Sequence, residues 1–210
     1  MRAMILVMMM LGTSLRADGD RAGIFDYYVL ALSWSPTWCA LEGDSRKSPQ
    51  CDARHDHGWT LHGLWPQFHR GWPAFCQTAE RPPARSMTAA MTDIMGSSGL
   101  AWHQWKKHGT CTGLSAAAYF DLSRKAYETV QRPAVFRKLD KAVKVPAKVI
   151  EDAFLQSNPD LEADMLTITC KQGRIQEARL CLSKDLTPVP CGRDVIRDCQ
   201  MRDALFDPIR

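Results

Sequence analysis

Eight cysteines constrain this 210-residue chain more than any other feature. They are Cys39, Cys51, Cys76, Cys111, Cys170, Cys181, Cys191 and Cys199, and no two are spaced as CxxC. All lie beyond an N-terminal stretch, MRAMILVMMMLGTSLRA (Met1 to Ala17), with a basic Arg2, an apolar run, and then small and polar residues. That order reads as a cleaved secretory signal and is too short for a membrane span. The expected division is a signal over 1–17, with a cut after Ala22 as the alternative, and one domain over 23–210. An even cysteine count on the secretory route reads as four disulfides, although eight cysteines allow 105 pairings and spacing alone selects none. Free or metal-bound thiols are the competing reading.

Removing the signal leaves about 190 residues, enough for one domain with a sizeable core. No later stretch is apolar enough to cross a bilayer, so the expected product is secreted or periplasmic, monomeric and without a membrane anchor. The formal charge of +4 permits a polyanionic partner without demanding one. The single asparagine, Asn158, precedes proline, so no N-glycosylation sequon exists. Richness in Ala, Arg, Asp and Met leans toward a bacterial source.

FDYYVLALSW (Phe25 to Trp34) is a continuous apolar run of strand length, as expected of a central strand covered on both faces. WTLHGLWP (Trp59 to Pro66) is a second strand, stopped by its proline. Residues 67–86 read as a long ordered loop, and Met87 to Met95 as a short helix that Gly96 breaks. Ser115 caps a helix running to about Gln131, and Pro146 to Leu155 forms another. MLTITC and IQEARLCL flank a Lys-Gln-Gly-Arg turn as a hairpin, and the tail from Pro188 is irregular. Helices and strands interleaved in this way give an α+β class.

Two segments carry the chemistry. LAWHQWKKHGTC (Leu100 to Cys111), if helical over Ala101 to His108, sets His103, Gln104, Lys107 and His108 on one arc of about 140°. Trp102 and Trp105 fall on the opposite side as core anchors, and Gly109 ends the helix. HDHGWTLHGLWP (His55 to Pro66) puts His62 inside an apolar strand. His55, His57 and His62 could suggest zinc. No HExxH motif supports that, and a metal-dependent hydrolase stands as a rival reading.

Taken together, the two segments suit cleavage of RNA without metal or cofactor. One imidazole can take the 2′-OH proton and another can protonate the leaving 5′-oxygen. A lysine and a third imidazole can stabilise the charge that gathers on the phosphoryl oxygens, and tryptophans can stack a splayed base. Spacing alone does not say which histidine is the acid.

HGLWP (His62 to Pro66) and HQWKKHGTC (His103 to Cys111) resemble the two active-site motifs of the ribonuclease T2 family, and YYVLALSWSPTWC is similar to its first strand and first cysteine. The resemblance covers nearly all of the mature chain. It implies an α+β fold with a central antiparallel β-sheet and packed helices, stabilised by disulfides. It further implies endonucleolytic cleavage of single-stranded RNA through a 2′,3′-cyclic phosphate with little base specificity. Carried over by position, His62 is the general acid, His108 the general base, His103 a phosphate holder and Lys107 the stabiliser of the transition state. Trp65 matches a base-stacking position. The implied pairs are Cys39–Cys51, Cys76–Cys111, Cys170–Cys199 and Cys181–Cys191. Two positions depart from the family. Gln104 stands where most members carry glutamate, and Gln67 where several have aspartate. Gln104 keeps a second reading open, a catalytically weak RNA-binding or toxin-like secreted protein on the same scaffold.

Overall fold

The computed structural model describes residues 20–210, so the expected signal over 1–17 lies outside the described residues. Six strands form one sheet: β1 (Tyr27–Trp34), β2 (Trp59–Gln67), β3 (Val143–Val145), β4 (Leu166–Lys171), β5 (Arg174–Leu182) and β6 (Ala204–Phe206). The path runs β2-β1-β5-β6-β3, with β4 also paired to β5. Pairing is antiparallel except where β6 meets β5 at Arg174 and Leu205.

β1 lies between β2 and β5, and its position explains its composition. Tyr28, Leu30, Leu32 and Trp34 enter the main core, while Tyr27 and Val29 pack on the opposite face with Cys181 and Val195. The β4–β5 hairpin turns at Gln172 and Gly173, both with positive φ, which glycine adopts without steric cost.

The helices are α1 (Ser35–Trp38), α2 (Arg85–Ala89), α3 (Thr92–Met95), α4 (Ser98–Lys107), α5 (Ala116–Thr129) and α6 (Ala147–Ser157). The Ser97 side chain caps α4 by accepting from the Leu100 N–H, and Ser115 caps α5 by accepting from Ala118. Each satisfies a backbone donor that has no partner in the first turn. The four disulfides are Cys39–Cys51, Cys76–Cys111, Cys170–Cys199 and Cys181–Cys191.

Several sequence expectations need correction. The short helix over Met87–Met95 is two helices, α2 and α3. The tail is not wholly irregular, because Ala204–Phe206 enters the sheet as β6 and pairs with β3, a strand that sequence reading missed. Three residues carry too little pattern to stand out as a strand. Trp102 is not a core anchor: it is 44% exposed, whereas Trp105 is 3% exposed. The buried stripe of α4 is Ala101, Gln104 and Trp105, continued by His108. At about 100° per residue, Trp102 points roughly 110° away from the centre of that stripe. Gly109 does not end α4 as a left-handed cap. It begins a 3-10 turn, Gly109–Cys111, at a point where an added Cβ would come within 2.4 Å of Trp105 and 2.9 Å of Tyr119. Close approach, not backbone conformation, requires glycine there.

Candidate active site

His62 occupies an irregularity in β2. Along β1, Ala31 pairs with Gly63 and Leu32 with Leu61, so His62 has no partner residue in the ladder. This is a β-bulge, a device that re-aims one side chain and is common beside active sites. Leu61 and Leu64 stay in the core on either side, while His62 turns its ring toward the other face. Gly63 lets α4 approach, because a Cβ there would lie 2.2 Å from Gln104 Oε1 and 2.4 Å from Trp65 Nε1.

Trp65 organises the two motifs. Its indole N–H donates to Gln104 Oε1 at 2.8 Å. Its ring stacks on His108, with centroids 5.2 Å apart and planes 23° from parallel. The His62 ring meets it edge-on at the same 5.2 Å separation, and the Arg179 guanidinium lies over it at 5.4 Å. One tryptophan therefore holds an imidazole from β2 and another from the end of α4 about a common centre.

The seven residues singled out from sequence, His62, Trp65, Gln67, His103, Gln104, Lys107 and His108, line a single cleft of about 330 Å³. Sequence reading missed others on the same wall: Trp72, Arg179, Asp194 and Arg197. Trp72 is an exposed aromatic in the loop after β2. Asp194 and Arg197 come from the tail, held here by the Cys181–Cys191 and Cys170–Cys199 bridges. A larger cleft of about 580 Å³ opens on the other side of His62 and reaches Glu177, Lys171 and Ser97. His55 and His57 stack on each other elsewhere. Among the described residues no three His, Cys, Asp or Glu side chains are grouped as a metal site.

His103 and His108 are both biased toward the neutral form. Burial, then the charges of Lys107, His62 and His103, pushes the His108 pKa down from 6.5 to about 3. Burial, then Lys107, His62 and Lys106, lowers that of His103. A neutral imidazole can accept a proton or donate a hydrogen bond from its single N–H. His108 is held by packing, since its Nδ1 has no hydrogen-bond partner. His62 is held by a bond, with Nδ1 2.6 Å from Glu177 Oε1.

Gln104 is buried and its carbonyl oxygen is taken by Trp65, so one half of this amide serves the scaffold while the side chain still borders the cleft. Glutamate in its place would keep an acceptor for Trp65 and add a negative charge beside His103 and His108. An adjacent anion favours the imidazolium form. Gln104→Glu is therefore expected to move the acidic limb of the pH–rate profile to higher pH. Superimposable profiles for the variant and wild type would show that the position does not reach the histidines.

A family model described as the Ribonuclease T2 family matches residues 25–191. A ribonuclease of Aeromonas hydrophila is 42% identical over 111 residues, covering 53% of this chain and 48% of that protein. A probable ribonuclease of Haemophilus influenzae is 32% identical over 120 residues, covering 51% and 44%. The chain spans about half the length of these curated relatives. Among solved structures, the S-like ribonuclease trichomaglin superposes with a TM-score of 0.67 at 22% identity, covering 89% of this chain and 100% of that one. An RNase-related protein from Calystegia sepium gives 0.64 at 20%, covering 87% and 96%. At these identities the superpositions establish the fold.

Proposed function

This chain belongs to the ribonuclease T2 family, and from that premise we propose that it is an endoribonuclease cleaving single-stranded RNA by transphosphorylation through a 2′,3′-cyclic phosphate. The observation that carries the reading is the gathering of His62, His103, Lys107 and His108 on one cleft around Trp65.

Neutral His108 takes the proton of the ribose 2′-OH. The 2′-oxygen then attacks phosphorus and the bond from phosphorus to the 5′-oxygen breaks. His62 gives its proton to that departing oxygen, so one proton enters the protein and one leaves. Lys107 and the N–H of His103 face the non-bridging oxygens, where negative charge grows most. A diester anion in the cleft also stabilises imidazolium at His108, which raises the basicity that burial lowers. Because His62 borders both clefts, the strand runs past it, with a nucleoside on either side of the scissile phosphate. Trp65 has His108 on one face and Arg179 over its ring. Exposed Trp72, rather than Trp65 alone, is thus the available stacking surface for a base. Gln67 is buried and an uncharged neighbour for that base, which accords with low base selectivity.

Four disulfides suit an oxidising compartment, and no helix among the described residues is long and apolar enough to cross a membrane. We place the protein outside the cytosol, secreted or periplasmic, acting on RNA as a monomer.

Cleavage is expected to proceed in EDTA, leave cyclic phosphate termini and spare an all-deoxy strand of the same sequence. End-group analysis of a short RNA and its all-deoxy counterpart, each incubated with EDTA at pH 5 and pH 7, checks all three. Inhibition by the chelator would favour the metal-dependent rival. Retention of RNA in a gel shift without any cutting would favour the binding-module reading that Gln104 raised.

A further inference from the structure

Acid catalysis by His62 requires a chosen nitrogen to face the leaving oxygen, and a buried carboxylate lies against one of the two. Glu177 on β5 has a side chain only 2% exposed. Its Oε1 lies 2.6 Å from His62 Nδ1 and accepts from Ser33 Oγ at 3.2 Å. Its Oε2 accepts from Arg179 Nε at 2.9 Å and Nη2 at 2.7 Å. Burial raises the Glu177 pKa, but the hydrogen bond from His62 and the charges of His62 and Arg179 outweigh it and bring it to about 2. An ionised carboxylate only accepts hydrogen bonds. Placed at Nδ1, it keeps that nitrogen protonated in both charge states of the ring, so Nε2 is the atom that gains and loses the catalytic proton.

The sheet register makes this contact. Ser33 pairs with Thr60 of β2 on one side and Glu177 of β5 on the other. Its small side chain lets the longer Glu177 and the bulged His62 meet across β1. The contacts then close on themselves: His62 touches Trp65, Arg179 covers Trp65, Arg179 forks Glu177, and Glu177 bonds His62.

We propose that Glu177, itself oriented by Arg179, is a positioning residue that sets the tautomer and aim of His62 for protonation of the 5′-leaving group. The proposal rests on the reading of His62 as general acid, and the test separates the two.

Two substrates sharing one 3′-nucleoside are compared. In a dinucleoside monophosphate the leaving 5′-alkoxide needs a proton. In the nucleoside 3′-(4-nitrophenyl phosphate) the leaving phenolate does not. Glutamine at 177 can offer an N–H to Nδ1 and favour the wrong tautomer. Glu177→Gln is expected to lower kcat about 100-fold on the dinucleotide and by less than about threefold on the nitrophenyl ester. Equal losses on both substrates, or no loss on either, would overturn the proposal. Should the glutamine variant not fold, Glu177→Asp, which keeps the charge but retracts it by one methylene, carries the test with the same selectivity and a smaller loss. His62→Ala, run in parallel, must show the dinucleotide-selective defect. If it does and Glu177→Gln does not, the positioning role falls while the acid stands. If His62→Ala shows no selectivity, the acid assignment falls and takes the proposal with it.

Discussion

His108→Ala is expected to lower kcat on RNA about 10³-fold while the protein remains folded. The imidazole is 5% exposed, stacked on Trp65 and neutral across the working pH range. Lys107 and Arg197 remain on the cleft wall, so affinity for a non-cleavable deoxy strand should change little. A fall in kcat without a matching loss of binding marks a group whose contribution is confined to the transition state. The variant also carries its own control for folding. His108 has a folded pKa of about 3 against an ordinary 6.5, so as pH falls below 6.5 the unfolded chain takes up this proton first. The stability that depends on a neutral His108 is thus present above pH 6.5 and drains away between 6.5 and 3. Alanine cannot titrate. The decline in urea midpoint from pH 7 to pH 4 should be shallower in the variant, whatever offset the cavity adds. Part of the acid sensitivity persists in both proteins. Glu177, at about 2 against 4.5, contributes stability above pH 4.5 that is lost below it. A rate above a tenth of wild type would refute the base assignment, and an unchanged slope would refute the buried neutral state.

Most of the frame was legible because it follows from local periodicity. The unbroken apolarity of β1 marks a strand covered on both faces, and Ser115 announces α5 by a capping preference that acts within one turn. The two motifs were legible as residue types suited to proton transfer. What escaped were features set by register and tertiary contact. Nothing in WTLHGLWP says that His62 is a bulge, because the extra residue exists only relative to β1. Glu177 sits 115 positions from His62, in a strand where an outward-facing charge reads as solvated. The available signal was the pair Glu177 and Arg179, two apart and so on one face of an otherwise apolar strand. Trp102 and Trp105 looked alike as anchors, since composition does not reveal which flank of a helix meets the core. Gly109 of HGTC reads as a helix terminator and Gly63 of HGLWP as an ordinary strand residue, whereas both are needed because another side chain occupies the space of a Cβ.

Removing the Cys76–Cys111 bridge should cost about 3–4 kcal/mol of stability and damage catalysis as well. The bridge closes a span of 35 residues, against 12 for Cys39–Cys51. Loop-closure entropy alone makes it worth about 1 kcal/mol more than the shorter one. Its location gives it a second role. Cys111 is fully buried just past α4, and the Phe75 N–H donates to the Lys107 carbonyl at 2.9 Å. The bridge therefore ties the loop bearing Trp72 to the end of α4 that presents Lys107 and His108. These are two walls of one cleft, and both would loosen together. In Cys76→Ala/Cys111→Ala the urea midpoint should fall accordingly. At a temperature where the variant is still folded, KM for a dinucleotide should rise about tenfold, since positions about 1 Å out of place lose productive binding steeply. The paired variant Cys39→Ala/Cys51→Ala should lose about 1 kcal/mol less stability, because the loop it closes is shorter. A KM unchanged from wild type in Cys76→Ala/Cys111→Ala would mean that the bridge stabilises the fold without shaping the site. A stability loss below about 1 kcal/mol would mean that the packing around Cys111 holds the α4 terminus without covalent help.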